Sequence, residues 1–458
     1  MNHNDILKAI DDSSNDIISF LRSIIRFDTT NPPGNELPLA QYIYDFMSRE
    51  GIDCEVIESV DGRGNIIANI PGEYESKRIL YLSHLDVVPA GDISRWSHNP
   101  FSADFDGEWI YGRGALDCKG LVASQVLSLV MLKRLGIKPK YTLILASTAD
   151  EETGGWRGIG WIASKYPEKV KANYVINEGG GLPIKGKNNR IVYLVDVCEK
   201  GSCNVKIRIS GKSGHSSVPF KNDNALYMMS LVIKRLYEYT PPRYQCEIVK
   251  DSFNVIFKSF AGTLGSIMVK LLFSPFNSLA FKFISRSEPN MANFIRSLMG
   301  LTMAPTIAKS GEKENVIPNS AEIIVNCRLL PGQDENYVLS ILREALSTFK
   351  NVEIEVLGCS YASYSIMDQE FFNIMNYTLK SILGEYNIHL APFVMPGSSD
   401  SRFLRVLGAK VYGFSPYNPK LNYSELMNLA HGVNEKIDVN SLILSTKFLT
   451  LLPLNINL

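Results

Sequence analysis

Hydrophobic positions in the first part of the chain switch repeatedly between helical and strand spacing. Apolar residues three and four positions apart predict helices over 14–27, 36–51 and 119–136. Short apolar runs predict strands over 52–59, 65–70, 78–84, 141–148, 173–180 and 190–197. Because strands that alternate with helices form a sheet covered on both faces, the pattern predicts an α/β fold. We expect a mixed, mostly parallel sheet sandwiched by helices.

The pattern changes after Glu199. The elements predicted after this residue are, in order, a half-exposed strand over 202–211, a helix from about 222 to 239, a strand over 321–332, a helix from about 335 to 349 and a strand over 352–358. This order predicts a small α+β domain over 200–358. Since the alternating pattern resumes after residue 360, the small domain is inserted into a larger one formed by 1–199 and 359–458.

A stretch rich in Phe, Leu, Met and Ser lies within the small domain, from about 241 to 305. Lys258, Lys270 and Lys282 divide it into uncharged runs that are too short to cross a bilayer. It has two interpretations: a helical insertion that packs on the small domain, or an apolar wall for a hydrophobic substrate.

Composition limits the class of protein. A length of 458 residues exceeds one ordinary compact core and favours two domains. Lys plus Arg equals Asp plus Glu at 47 each, so the net charge suggests neither nucleic acid nor a membrane as a partner. The seven scattered cysteines argue against a disulfide framework and fit a reducing compartment. Because the N-terminus is polar and acidic, we expect no secretory signal and a cytoplasmic location.

Acidic side chains and a histidine follow the apolar strands. They are His84, Asp86, Asp117, Asp150, Glu151, Glu152 and Glu178. In a parallel sheet the strand ends meet at one edge, where ligand groups cluster. Taken alone, His84 and Asp86 could be hydrogen-bonded loop residues and Asp117 could cap the helix after it. Four acids and one or two histidines are the right parts for a dinuclear metal site, whose positive charge would relieve the repulsion among adjacent acids.

Seven motifs occur in an order that resembles the M20 family of dizinc peptidases and deacylases. They are SHLDVVP, YGRGALDCKG, ADEETGG, NEGG, GKSGHSS, NVIPNSAEIIVNCRLLPG and PGSSDSRF. The resemblance covers almost the whole chain and is greatest to the carboxypeptidase S and N-acyl amino acid hydrolase branch. It implies that the small domain is a ferredoxin-like lid or dimerisation domain, and that a homodimer can form through it.

The resemblance also implies a ligand set for two Zn²⁺ ions, with Co²⁺ or Mn²⁺ as possible substitutes. His84, Asp117 and Glu178 would bind one ion, and Asp117, Glu152 and His431 the other. Glu151 would be the general base, and Asp86 would accept the second ring proton of His84. The family also often has a cis peptide at the position of Asp117 and Cys118.

The resemblance implies roles for five further motif residues that would act on the substrate. His215 would stabilise the oxyanion, Arg328 would bind a carboxylate, and Asn315, Gly397 and Ser398 would help to hold the substrate. The implied reaction is hydrolysis of an amide bond next to a free carboxylate. A carboxypeptidase acting on short peptides and a deacylase acting on N-acyl amino acids remain alternatives, as does a catalytically silent binding protein on the same scaffold.

Overall fold

The computed structural model describes residues 2–219, 223–275, 277–287, 289–384, 386–422, 426 and 428–456. The α-helices are α1 (His3–Asp12), α2 (Ser14–Ile25), α3 (Leu37–Arg49), α4 (Lys119–Arg134), α5 (Ile159–Lys165), α6 (Pro167–Val170), α7 (Ala225–Glu238), α8 (Glu247–Ala261), α9 (Thr263–Leu272), α10 (Asn277–Ser287), α11 (Pro289–Leu298), α12 (Glu335–Ala345), α13 (Gln369–Ile382), α14 (Ser401–Val406) and α15 (Val439–Leu451). The expected start of α7 at residue 222 lies outside the described residues.

The strands follow the predicted order, with several short additions. They are β1 (Asp53–Glu58), β2 (Gly64–Ile70), β3 (Tyr74–His84), β4 (Trp109–Tyr111), β5 (Tyr141–Thr148), β6 (Tyr174–Asn177), β7 (Pro183–Lys185), β8 (Arg190–Glu199), β9 (Gly201–Ser210), β10 (Gly214–His215), β11 (Thr302–Ser310), β12 (Val316–Ile317), β13 (Ser320–Leu329), β14 (Val352–Ser360), β15 (Ser363–Tyr364), β16 (Asn387–Met395), β17 (Lys410–Gly413) and β18 (Lys436–Asp438).

A mixed ten-stranded sheet forms the larger part of the molecule, which confirms the predicted α/β class. Its strand order is β1-β2-β5-β3-β6-β17-β8-β15, and β16 and β7 also pair with β8. The parallel pairs β5–β3, β3–β6 and β6–β17 occupy its centre, whereas β1, β2 and β15 pair antiparallel.

Side chains along β3 alternate between two apolar clusters, one on each face of this sheet. Ile79 and Tyr81 pack in the cluster that includes α4 and α15. Leu80 and Leu82 pack in the cluster that includes α5 and α14. Since successive residues of a strand point to opposite faces, the apolar run of β3 is explained by helices on both sides.

A separate four-stranded antiparallel sheet has the order β11-β13-β9-β14. Alternate residues of β9 are buried, and they pack with α7 and α12 in one apolar cluster. The chain enters this sheet directly after β8 and leaves it directly before β15. The predicted strand, helix, strand, helix, strand pattern is therefore present, with β11 added at an edge.

Cys203 of β9 lies opposite Cys359 of β14, and the two are joined by a disulfide. The spacing of cysteines along the chain argued against a disulfide framework. The pairing of β9 with β14 brings together two cysteines that are 156 residues apart in sequence. The chain therefore has one disulfide rather than a framework of them, and its other five cysteines are free.

The stretch over 241–305 is helical, but α8 packs against β8 and β16 of the ten-stranded sheet. Val249 and Phe253 on α8 are buried in the same cluster as Leu194 and Phe393 of these strands. The expectation that this insertion packs on the small domain is therefore wrong for α8. Its apolar stripe covers a sheet face that would otherwise be exposed. None of the helices in the described part of the chain combines the length and the apolar character that spanning a bilayer requires.

Candidate metal centre

Three adjacent strands end at one edge of the ten-stranded sheet and carry the predicted acidic and histidine residues. His84 is the last residue of β3, whose neighbours β5 and β6 run parallel to it. Glu151 and Glu152 begin a short 3₁₀ turn shortly after β5, and Glu178 directly follows β6. The parallel register therefore brings to one edge side chains that are distant in sequence.

The first cluster surrounds the ring of His84. His84 Nε2 lies 3.1 Å from Asp117 Oδ1 and 3.4 Å from Glu178 Oε2. Cys118 belongs to the same cluster, and potential ligand atoms of these four residues all lie within 4.8 Å of one another. The thiol of Cys118 also accepts a hydrogen bond from the His84 amide at 3.2 Å, and the Asp117–Cys118 peptide is cis, as the resemblance implied.

The second cluster uses the other oxygen of the same aspartate. His431 Nε2 lies 3.0 Å from Asp117 Oδ2 and 3.3 Å from Glu152 Oε1. Asp117 therefore presents one carboxylate oxygen to each histidine. A carboxylate shared in this way has the position required of a bridging ligand between two ions.

The electrostatics of the two clusters fit a divalent cation. Burial raises the pKa of Glu178 to about 7, although His84 opposes the shift. Hydrogen bonds to Asp117 and Glu152 raise the pKa of His431 to about 10. Oε1 of Glu152 is buried, with His431 Nε2 3.3 Å away. Carboxylate oxygens and imidazole nitrogens are donors that zinc takes, so the residues present fit the metals implied by the resemblance.

Glu151 is half-buried beside these clusters but belongs to neither. Burial, and then the neighbouring Glu178, raises the pKa of Glu151 well above its usual value. A carboxyl group with a raised pKa accepts a proton more readily than an ordinary glutamate, as a general base must.

Asp86 holds the turn that carries the two glutamates. Its carboxylate accepts hydrogen bonds from the amides of Glu151 at 3.1 Å and Glu152 at 3.0 Å, and from the Asn31 side chain at 2.8 Å. His84 Nδ1 lies 2.9 Å from the backbone carbonyl oxygen of Asp86 and 3.5 Å from its carboxylate. The ring is therefore oriented mainly by the backbone of Asp86, while its side chain positions the turn.

Sequence reasoning missed Glu435. Its Oε1 accepts hydrogen bonds from the amides of Leu116 at 2.8 Å and Asp117 at 2.9 Å, and its Oε2 pairs with Arg113 at 2.6 Å. Glu435 is fully buried and follows His431 by four residues. It therefore fastens the loop of Asp117 to the loop of His431. The only signal in the sequence was its closeness to a predicted ligand.

The predicted substrate-side residues lie elsewhere. His215 and Asn315 are neighbours where β10 meets β12, since the amide of Ser216 donates to the carbonyl of Asn315 at 3.1 Å. Arg328 lies near the end of β13, and its Nε donates to Asn326 at 3.1 Å. Among the described residues, no hydrogen bond or ion pair joins these three side chains to either cluster.

Gly397 and Ser398 lie in the loop between β16 and α14. Ser399 connects this loop to the metal-bearing edge, because Asn177 at the end of β6 donates to its hydroxyl at 3.2 Å. The loop is thus held next to Asn177, the residue that precedes Glu178. Within the described residues, neither Gly397 nor Ser398 makes a hydrogen bond to the clusters.

Comparisons with known proteins agree with this geometry. The model of peptidase family M20/M25/M40 matches residues 80–455. The chain is 32% identical over 378 residues to an N-fatty-acyl-amino acid synthase/hydrolase of Xenopus tropicalis, covering 81% of this chain and 70% of the relative. It is 29% identical to probable carboxypeptidase S-like 2 of Dictyostelium discoideum, covering 82% and 72%.

Solved structures support the fold. An M20 family metallo-carboxypeptidase from Sulfolobus solfataricus superposes with a TM-score of 0.66 at 19% identity, covering 96% of this chain and 99% of that one.

Proposed function

Since the chain belongs to peptidase family M20/M25/M40, whose members hydrolyse amide bonds, we propose that it cleaves an amide next to a free carboxylate. The substrate would be a short peptide or an N-acyl amino acid. The observation that carries the proposal is the carboxylate of Asp117, which faces His84 with one oxygen and His431 with the other, beside the half-buried Glu151.

Two Zn²⁺ ions, or Co²⁺ or Mn²⁺ in their place, are the proposed cofactors. His84, Asp117 and Glu178 would hold one ion, and Asp117, Glu152 and His431 the other. When bound, such a pair lowers the pKa of a water molecule and polarises a carbonyl group.

Glu151 is the proposed general base. It would take a proton from the attacking water and pass it to the leaving nitrogen. Burial raises its pKa, which favours a carboxyl group that can both accept and return a proton. The amide hydrogen bonds to Asp86 fix the turn from which the side chain of Glu151 extends.

The residues that we propose bind the substrate come from the four-stranded sheet, its neighbouring segments and the loop after β16. The guanidinium group of Arg328 suits a carboxylate, with Asn315, Gly397 and Ser398 as further contacts. His215 would stabilise the oxyanion. Because His215 is exposed and apart from the clusters, it would have to reach them by movement of its sheet or from a second subunit in a homodimer.

The test measures hydrolysis of dipeptides and N-acyl amino acids by metal-stripped protein, with and without added Zn²⁺, Co²⁺ or Mn²⁺. Turnover should return with metal, and the preferred substrate class decides between carboxypeptidase and deacylase. Glu151→Gln should lower kcat by about 10² to 10⁴ while binding the same number of ions.

Glu75→Gln is the matched control, since Glu75 is exposed at the opposite end of β3. It should retain full activity. Failure to bind metal, or full activity of Glu151→Gln, would overturn the proposal.

A further inference from the structure

Helix α9 is apolar on nearly all sides, with Lys270 as its only charged residue. Gly265, Val269 and Leu272 are buried, and α9 packs along α8. On another face, Leu264 is 70% exposed and Ile267 is 59% exposed. A surface helix normally turns polar residues to water, so the outer face of α9 has an unexplained apolar character.

This apolar surface continues onto the end of α8. Phe260 lies in the last turn of α8 and is 41% exposed. The chain then turns at Gly262, whose φ of +55° is readily adopted by glycine, and enters α9. We name Phe260, Leu264 and Ile267 the hairpin tip.

Cationic side chains surround the hairpin tip. Lys258 and Lys270 lie on the two helices, close to the tip in sequence. The turn between β7 and β8 packs beside them, because the amide of Lys187 donates to the carbonyl of Ser259 at 3.2 Å and Arg190 donates to the carbonyl of Lys258 at 3.5 Å.

Part of this positive charge also reaches the adjacent β16. Burial lowers the pKa of His389 on β16, and Arg190, Lys380 of α13 and Lys258 lower it further. Within the described residues, no ion pair with an acidic side chain neutralises Lys187, Arg190, Lys258, Lys270 or Lys380. The chain as a whole has no net charge, but this part of its surface is positively charged.

The turn beside the tip leads into the ten-stranded sheet. Arg190, the first residue of β8, pairs with Asn387, the first residue of β16.

Three apolar side chains are too few for a stable contact between two copies of this chain, which needs about 800 Å² on each partner. They are sufficient for a lipid interface, where a few inserted apolar side chains act together with cations attracted to anionic headgroups. We propose that the hairpin tip docks onto an anionic lipid surface, with Phe260, Leu264 and Ile267 entering it and the surrounding cations contacting the headgroups.

The test is flotation of the full chain with phosphatidylcholine vesicles, with and without phosphatidylglycerol. We expect binding to the anionic vesicles only, and weaker binding as salt is raised. The double variant Leu264→Ser/Ile267→Ser should bind at least about tenfold more weakly, and so should Lys187→Gln/Lys258→Gln.

Leu226→Ser/Tyr237→Ser is the control, because these exposed side chains lie on α7 rather than at the tip. It should bind like the unchanged protein, and all variants should have similar thermal unfolding midpoints. No binding of the unchanged protein to anionic vesicles, or equal binding by the tip variants, would overturn the proposal. So would a dimer that the tip variants dissociate without any vesicle binding, since the tip would then serve self-association.

Discussion

Glu435 connects two loops that each carry a residue of the second cluster. It accepts the amide protons of Leu116 and Asp117 and pairs with Arg113, whose Nη2 also donates to the carbonyl of His431 at 3.4 Å. A buried acid with all of these partners fixes the position of Asp117 relative to His431. Groups that orient ligands in this way commonly set metal affinity.

We predict that Glu435→Gln weakens zinc binding by about 10- to 100-fold, because Glu435 positions Asp117, which is shared by the two clusters. The amide can no longer form an ion pair with Arg113, which leaves a buried charge uncompensated. Zinc titration with metal analysis should show this loss of affinity. Asp438→Asn is the control, because Asp438 is a buried acid that caps α15. Two unchanged sites in Glu435→Gln would refute this role.

The link between the two sheets is short and buried. Lys200 lies between β8 and β9, and its Nζ donates to the carbonyls of Ser297 at 2.7 Å and Gly300 at 2.9 Å. It thereby ties the end of the helical insertion to the link. Burial, with a contribution from Arg328, lowers the pKa of Lys200 to about 7.

This pKa predicts a pH dependence of stability. Between about pH 7 and the usual lysine value of 10.5, the folded chain binds fewer protons than the unfolded chain. The free energy of unfolding should therefore rise with pH in this range, by on the order of 5 kcal/mol from this residue. Urea unfolding at both ends of the range should show a smaller rise in Lys200→Met, whereas the exposed Lys234→Met should behave like the unchanged protein. An identical rise in Lys200→Met would contradict the prediction.

The whole molecule gathers several acids at one half-buried edge of the sheet while its total charge is zero. Asp117, Glu151, Glu152 and Glu178 repel one another, and the rings of His84 and His431 contact Asp117, Glu152 and Glu178 directly. Folding therefore concentrates negative charge at the candidate metal centre. A divalent ion bound there stabilises the folded chain, because the unfolded chain has no such cluster.

We predict that Zn²⁺ raises the thermal unfolding midpoint of metal-stripped protein. At a free zinc concentration 100 times the dissociation constant, one site contributes about 2.7 kcal/mol. Mg²⁺ should have a smaller effect, because it prefers octahedral oxygen coordination and retains water. Differential scanning calorimetry measures this shift. An unchanged midpoint with Zn²⁺, Co²⁺ and Mn²⁺ would count against a metal centre.

The local pattern of the sequence determined the elements and the class of fold. The helices α2, α3 and α4 lie within the predicted ranges, and the apolar runs of β3, β5 and β8 became buried strands. These features depend on spacing between near neighbours, which the sequence displays directly. The metal-binding candidates followed from motifs in order, and the fold brings all five together.

Tertiary structure alone decided the features that depend on residues distant in sequence. The register of β9 and β14 paired Cys203 with Cys359, and packing placed α8 on the ten-stranded sheet. The burial of Glu435 beneath Asp117 also required the approach of two loops more than 300 residues apart. Hydrophobic periodicity shows which face of an element is buried but not its partner, because many sheet faces would bury the same apolar stripe.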